Sequence, residues 1–261
     1  MTATERWGAI DDQSIDEARE LLGVPLRRDR MQWNKVATRD AIRQFTLGAG
    51  DDNPLWTDDA YAAATRWGGL LAPPSFLYAV DATIVAPRLP GVQWIYAGTR
   101  WRWYDVIRRD DVFDVGVVFT ELEEKEGRRF GKWVLQKGEI VYRRDRGDDD
   151  GALICVAQGR VARTPRRTKK NKTTSTSAEA KSDPALSQVE EEPVASFAPE
   201  VTRESRRGRV PRFWEECEIG ETIGPVALEL TLDGIFSWYT GAQGALHYGG
   251  AHGDAVRYRH R

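Results

Sequence analysis

The run Gly50-Asp51-Asp52-Asn53-Pro54-Leu55-Trp56-Thr57-Asp58 carries most of the information in this chain of 261 residues. It places an acid, an amide, a proline and an aromatic residue between two segments with helical spacing. Asp51 has the chemistry of a general base, Asn53 can orient it, and Pro54 restricts the backbone that carries both. The same residue types also form ordinary helix–helix turns, in which Asp and Asn make local backbone hydrogen bonds. Turn chemistry therefore leaves a catalytic and a structural interpretation open.

The sequence around this run resembles the hydratase motif of the MaoC-like dehydratases. The matching residues also include Phe45, Gly48, Trp67-Gly68-Gly69, Leu71-Ala72-Pro73-Pro74, Trp101-x-Trp103 and Arg109-Asp110-Asp111. The resemblance implies an α+β hotdog fold, in which a curled antiparallel sheet surrounds a central helix. It also implies a hydro-lyase that hydrates 2-enoyl thioesters or dehydrates 3-hydroxyacyl thioesters, with Asp51 and Asn53 as its catalytic residues.

One position departs from the family pattern. Family members pair the Asp with a His five residues later, and Trp56 stands there in this chain. An indole offers only an N–H donor and cannot exchange a proton as imidazole does. Loss of one member of an acid–base pair typically costs about 100- to 10,000-fold in rate. We therefore expect an impaired hydratase, in which Trp56 lines the acyl-binding tunnel.

A second departure concerns the turn before the expected central helix. The resemblance implies that backbone N–H groups at this helix start polarise the thioester carbonyl, but proline has no N–H. Ser75 would supply the next N–H at a positively polarised helix end. A proline-initiated helix without a binding role explains Pro73-Pro74 equally well.

The expected substrate-binding residues combine this turn with neighbouring positions of the motif and with two arginines. They are Trp56, Gly69, Pro73, Pro74, Ser75, Arg100 and Arg102. The arginines could contact the phosphates of coenzyme A, because guanidinium binds phosphate with two-pronged geometry. Alternatively, they lie on a solvated strand face that opposes Asp105, Asp110 and Asp111.

Composition limits the other possibilities. Basic residues number 38 and acidic residues 40, so the net charge of −2 favours neither nucleic acid nor an anionic membrane as a partner. No apolar run approaches the roughly 20 residues of a membrane helix, and the N-terminus lacks the apolar core of a signal peptide. The expected location is therefore the cytoplasm.

The cysteines and histidines lack the spacing of metal ligands. They are Cys155, Cys217, His247, His252 and His260, and we therefore expect no metal and no cofactor.

Hydrophobic spacing predicts helices followed by a meander of antiparallel strands. The predicted helices are 14–22, 38–47, 57–66 and a long central helix that starts at 74 and stops before 87. The predicted strands are 92–96, 100–104, 112–122, 130–143 and 153–163. Trp101 and Trp103 should share one strand face, with Arg100 and Arg102 on the other.

The predicted domains are a hotdog module at 1–164, a disordered linker at 165–205 and the truncated start of a second hotdog module at 206–261. The linker is rich in charge and hydroxyl groups and poor in large apolar residues. Its basic run could touch nucleic acid, although a solvated linker explains it better. About 50 residues cannot build a hotdog core, so the second module is either naturally shortened or incomplete in this reading frame.

Two functions from different classes follow. The first is an acyl-thioester hydratase-dehydratase that takes a coenzyme A or acyl-carrier substrate. The second is a non-catalytic subunit that binds the acyl thioester or supports an active hotdog subunit in a homodimer or heterodimer. A thioesterase comes third, because fold does not determine function.

Overall fold

The computed structural model describes residues 8–27, 33–128, 130–145, 151–165, 213–221 and 230–243. The chain divides into two compact units, residues 1–166 with 232–261, and residues 167–231. The described part of the second unit, 213–221 with 230–231, contains the short 3-10 helix Trp214–Glu216. The predicted linker lies almost wholly outside the described residues, and the predicted domain boundaries stay a prediction.

The first unit begins with helices and continues with strands. Its helices are α1 (Asp12–Arg19), α2 (Arg39–Ala49), α3 (Pro54–Thr57), α4 (Asp59–Ala63), the 3-10 helix η1 (Pro74–Ala79) and α5 (Leu232–Trp238), which continues as a π-helical turn (Tyr239–Gln243). Its strands are β1 (Leu71–Ala72), β2 (Gln93–Trp103), β3 (Ile107–Arg108), β4 (Phe113–Gly127), β5 (Gly131–Arg144) and β6 (Leu153–Thr164).

The main sheet is antiparallel in the order β2-β6-β5-β4, and β1 pairs with β3 in a separate two-stranded sheet. The two strands predicted at 92–96 and 100–104 form one strand, β2, whose register shifts between Tyr96 and Thr99. Gly98 lies inside this irregularity with φ +107°, a conformation that glycine adopts without strain. Trp101 and Trp103 do share a face, since their rings stack with centroids 5.6 Å apart.

The hydrophobic core lies between the sheet and the helices. Phe45 of α2 packs edge-on against Phe76 of η1, with ring centroids 5.5 Å apart. The cluster around this pair consists of buried residues from α2, η1 and the strands, including Ile42, Leu77, Phe113, Val117, Phe119, Ile140, Tyr142 and Ile154. The arrangement confirms the predicted α+β hotdog fold, with an antiparallel sheet that does not close.

The predicted long central helix was wrong, because η1 ends at Ala79 and no helix follows before β2. The sheet beneath this segment carries Gly138 and Gly159 as register partners. A Cβ on Gly159 would lie 1.9 Å from the Thr83 carbonyl oxygen, and one on Gly138 would lie 2.3 Å from Val85 Cβ. The backbone therefore packs directly on the sheet, closer than a helix could approach. The β-branched residues here also weaken helix propensity.

Polar groups hold this irregular segment in place. Asp81 is fully buried, and its Oδ1 accepts a hydrogen bond from Thr83 N at 2.8 Å. The buried Arg163 guanidinium donates to the carbonyls of Ala86 and Leu89 at 3.0 and 2.7 Å. Burial lowers the pKa of Arg163 to about 10. Because these carbonyls accept hydrogen bonds from a buried guanidinium group, the backbone of this segment is held in one conformation.

Two other helix predictions needed correction at their starts. Helix α1 begins at Asp12 because Asp11, not Ser14, is its N-cap, and the two residues form a reciprocal capping box. The helix predicted at 57–66 is replaced by α3 and α4, since both Asn53 and Asp58 act as N-caps.

Gly159→Ala should destabilise the protein, because the new methyl group would overlap the Thr83 carbonyl. Overpacking of this kind typically costs about 1–3 kcal/mol. Gly116→Ala on β4 is the matched control, since a Cβ there meets nothing within 4 Å. Urea unfolding of the two variants tests this expectation, and equal midpoints would contradict the direct packing of 83–85 on the sheet.

Candidate active site

The motif begins at the C-terminal end of α2. Gly50 has φ +69°, and its N–H donates to the Leu47 and Thr46 carbonyls. Asp51 N also donates to the Thr46 carbonyl at 2.9 Å. This pattern is a Schellman motif, which needs a left-handed residue at the position of Gly50. Asp51 is therefore held at the point where the chain leaves the helix.

Local hydrogen bonds then order Asp51 and Asn53. Asp51 Oδ1 accepts from Asn53 N at 3.1 Å, and Asn53 Oδ1 accepts from Leu55 N at 2.9 Å. Asn53 thus orients Asp51 through its backbone N–H, while its side chain caps α3 with Pro54 at the first helical position. Within the described residues, Asp51 Oδ2 has no hydrogen-bond partner. The half-buried carboxylate has one ordered oxygen and one available oxygen.

Trp56 lies next in the same turn. It is half-buried and packs against the main core cluster. Its indole Nε1 is buried and has no hydrogen-bond partner within the described residues. Buried N–H groups without acceptors are rare in folded proteins. At the position where the resemblance implies His, this chain therefore carries a donor without an acceptor among the described residues.

The turn at Pro73 leads into η1. Pro73 is buried and its carbonyl accepts from Phe76 N at 2.8 Å, while Pro74 and Ser75 are exposed. Pro74 occupies the first helical position, as the proline-initiated interpretation expects. Gly69 is half-buried and lies just before β1. The substrate-binding role of these residues stays a prediction.

The predicted arginines lie on β2. Arg100 and Arg102 are exposed and stand opposite Gln158 and Val156 of β6. Within the described residues, neither arginine forms an ion pair. Both guanidinium groups therefore remain available to an anionic ligand.

The acids that might have opposed Arg100 and Arg102 pair elsewhere. Arg144, which is 4% exposed, donates through Nε to Asp111 Oδ1 at 2.9 Å and through Nη1 to Asp105 Oδ2 at 3.0 Å. Burial alone would raise the pKa of Asp105, but hydrogen bonds from Arg108 and Arg144 keep it below its usual value. Asp110 lies 3.4 Å from Arg109.

Sequence reasoning missed a second polar group beside β2. The hydroxyl oxygens of Tyr78 and Tyr96 lie 3.0 Å apart, and Tyr96 donates to Thr99 Oγ1 at 2.7 Å. Thr99 Oγ1 lies 2.7 Å from Thr83 Oγ1. Burial and the bond to Tyr96 raise the pKa of Tyr78. No sequence spacing indicates this chain, because the register shift in β2 places Tyr96 and Thr99 together.

The comparisons with known proteins agree with this architecture. Residues 28–148 match the family model described as FAS1-like, dehydratase domain region. This match confirms the resemblance of this part of the chain to the MaoC-like dehydratases. A 42-residue stretch is 40% identical to a UPF0336 protein of Streptomyces avermitilis and covers 16% of this chain and 28% of that protein. The match therefore spans little more than a quarter of that relative.

Similar solved structures include a complex from Mycobacterium tuberculosis and a hydratase from Pseudomonas aeruginosa. The ChsH1–ChsH2 complex from Mycobacterium tuberculosis aligns with a TM-score of 0.46 and 15% identity, covering 59% of this chain and 96% of that one. The R-hydratase PhaJ1 from Pseudomonas aeruginosa aligns with a TM-score of 0.38 and 20% identity, covering 51% of this chain and 77% of that one.

Other features of the described residues bear on ligands. Among these residues, no group of three or more His, Cys, Asp or Glu side chains could hold a metal ion. Both cysteines are free, and burial raises the pKa of Cys155 to about 12. The three histidines, His247, His252 and His260, lie outside the described residues. Within the described ranges, no helix has the length and apolar character to cross a membrane.

Asn53→Ala and Asp51→Asn should differ in stability. The first variant loses the cap on Leu55 N, which typically costs about 1 kcal/mol. The second retains an oxygen that accepts from Asn53 N, so the free energy of unfolding should stay within about 0.5 kcal/mol of wild type. Urea titrations measure both values. An equal loss in both variants would mean that the Asp51 carboxylate is primarily structural.

Proposed function

We propose that this chain is an acyl-thioester hydratase-dehydratase module in which Asp51 is the base, and that Trp56 impairs it when the chain acts alone. The observation that supports this proposal best is the carboxylate of Asp51. One of its oxygens is fixed by Asn53 N, and the other has no partner within the described residues. A structural turn uses the first oxygen only. A general base needs the second.

In the hydration direction, Asp51 would remove a proton from water while the remaining hydroxide bonds to C3 of a 2-enoyl thioester. Charge would develop on the thioester oxygen, which the Ser75 N–H would stabilise. C2 must then receive a proton. Trp56 cannot deliver one, since its indole N–H is only a hydrogen-bond donor. The proposed impairment lies at this last step.

The proposed carrier is coenzyme A or an acyl-carrier prosthetic group, both of which present phosphate. Arg100 and Arg102 are exposed and lack ion pairs within the described residues. Their side chains can therefore meet phosphate without first breaking an internal bridge. A cytoplasmic location is part of the same proposal.

The second candidate is a non-catalytic subunit of a hotdog homodimer or heterodimer. Trp56 favours it, because an indole at the family His position retains binding chemistry but loses proton transfer. Strand β2 favours it as well. It is an edge of the described sheet and exposes the large apolar side chains of Trp94, Ile95 and Tyr96. An exposed apolar edge strand can pair with a strand of another chain.

Trp56→His should raise the rate of enoyl-CoA hydration by about 100- to 10,000-fold, because it restores a proton donor beside Asp51. The gain should vanish in the Trp56→His/Asp51→Asn double variant. Loss of enoyl absorbance provides the measurement, and Trp103→His, on an exposed Trp, is the control. A gain that survives Asp51→Asn would exclude Asp51 as the base. No gain, together with retained thioester binding, would favour the non-catalytic subunit.

The Arg100→Ala/Arg102→Ala variant should weaken coenzyme A thioester binding. Hydrogen bonds between charged groups contribute about 1.5–3 kcal/mol, so the loss should be at least tenfold. Titration calorimetry with an enoyl-CoA measures it, and Arg19→Ala/Arg43→Ala, which removes two exposed positive charges as well, controls for net charge. Unchanged affinity in the double variant would place the phosphates elsewhere.

A further inference from the structure

Three aromatic rings form a stack that runs from the core to the surface. Tyr142 of β5 stacks on Trp101 of β2 with ring centroids 6.0 Å apart, and Trp101 stacks on Trp103 with centroids 5.6 Å apart. Exposure rises along the stack, from 0% at Tyr142 to 38% at Trp103, and Trp101 between them is half-buried. Among the described residues, no further ring stacks on Trp103. The stack therefore ends in an indole that a flat ligand can reach.

The register of the sheet explains how rings from β5 and β2 meet across β6. Cys155 of β6 is the register partner of both Trp103 and Tyr142, and Ala157 is the partner of Trp101. Neighbouring strands lie about 4.8 Å apart, so β5 and β2 are separated by roughly 10 Å. The short side chains of β6 leave this space to the rings.

A hydrogen bond and an edge-on contact fix the middle ring of the stack. Trp101 Nε1 donates to the Tyr78 hydroxyl at 3.3 Å, and the two rings contact each other edge-on with centroids 5.1 Å apart. The Tyr78 hydroxyl in turn lies 3.0 Å from the Tyr96 hydroxyl. Trp103 therefore stacks on a ring that is already held by other residues. A preorganised surface of this kind loses little conformational entropy when a ligand binds.

Two cations border the same edge of the sheet. Arg100 and Arg102 alternate with Trp101 and Trp103 along β2, so their side chains leave the opposite face of the strand. Strand β2 is an edge of the described sheet, so the two faces meet there without a further described strand between them. Both arginines are exposed and form no ion pair within the described residues. A ligand that stacks on Trp103 can therefore place anionic groups on them around this edge.

A flat ring that carries phosphate groups matches both features. Aromatic side chains bind nucleobases by stacking, and guanidinium groups bind phosphate. A long nucleic acid is a poorer match, because the net charge of the chain is −2. A single nucleotide needs only one ring face and a few cations. Coenzyme A ends in an adenine nucleotide, whereas the prosthetic group of an acyl carrier has no nucleobase.

We propose that the exposed face of Trp103 stacks on the adenine of a coenzyme A thioester, while Arg100 and Arg102 bind its phosphates. The inference rests on the proposed function and deepens it, because it selects coenzyme A over an acyl carrier. It involves neither Asp51 nor Trp56.

Trp103→Ala in the full chain tests this proposal. The affinities for adenosine 3′,5′-bisphosphate and for an enoyl-CoA should each fall by about 5- to 150-fold, the effect of losing one base–aromatic stack. The affinity for the matching enoyl-pantetheine, which lacks the nucleotide, should stay at the wild-type value. Titration calorimetry measures all three, and the enoyl-pantetheine value also shows that the variant is folded.

Two kinds of variant serve as controls. Trp103→Phe and Trp103→His retain an aromatic ring and should keep most of the affinity for the bisphosphate. Trp94→Ala is the matched control, because it removes a comparably exposed indole from the same strand, 47% exposed against 38%. It should leave all three affinities unchanged.

Several results would overturn the proposal. One is a bisphosphate affinity that Trp103→Ala leaves unchanged, or that the wild type lacks altogether. Another is an equal loss for enoyl-CoA and enoyl-pantetheine, because Trp103 would then contact the acyl or pantetheine part or support the fold. A lower sedimentation mass in Trp103→Ala with unchanged nucleotide binding would assign the indole to a protein contact. Nucleotide binding that depends on Trp103 without any thioester hydration would count only against the proposed function.

Discussion

The edge-on contact between Phe45 and Phe76 holds the two parts of the candidate site in one structure. Phe45 belongs to the helix that ends at Gly50 and Asp51, and Phe76 belongs to η1, which begins at Pro74. Both rings are fully buried. Truncation of a buried Phe to Ala typically costs about 3–5 kcal/mol, so this pair contributes heavily to a marginally stable fold. Any displacement of one ring would shift the turn that its own helix carries.

Two buried arginines, Arg144 and Arg163, fix backbone segments that have no regular secondary structure. Arg144 joins Asp105 and Asp111, and thus ties β5 to the segment around β3. Arg163 instead donates to backbone carbonyls between η1 and β2, and within the described residues no carboxylate accepts from it. Removing one member of such a buried set leaves the others unsatisfied, which costs more than the interaction contributes. These two arginines define backbone paths near the site and take no part in the proposed chemistry.

Local signals predicted a large part of the fold. The helix predicted at 38–47 forms as α2, and the strand predicted at 112–122 forms within β4. The central helix failed because its apolar spacing is compatible with two outcomes. Glycines at 138 and 159, far away in the sequence, decide between them by letting the backbone of Thr83 reach the sheet. The chain of hydroxyl groups from Tyr78 to Thr83 was equally hidden, because it depends on a register shift between strands.

The sequence by itself determined the motif, the turn that holds Asp51 and the resemblance to a dehydratase, since each depends on residues near one another in the chain. It also placed Trp56 where the family has His. Only the tertiary structure decided that Trp56 Nε1 is buried without an acceptor among the described residues, and that α5 packs on α2. Those outcomes depend on contacts between distant segments, and local residue types do not specify which distant atoms will meet.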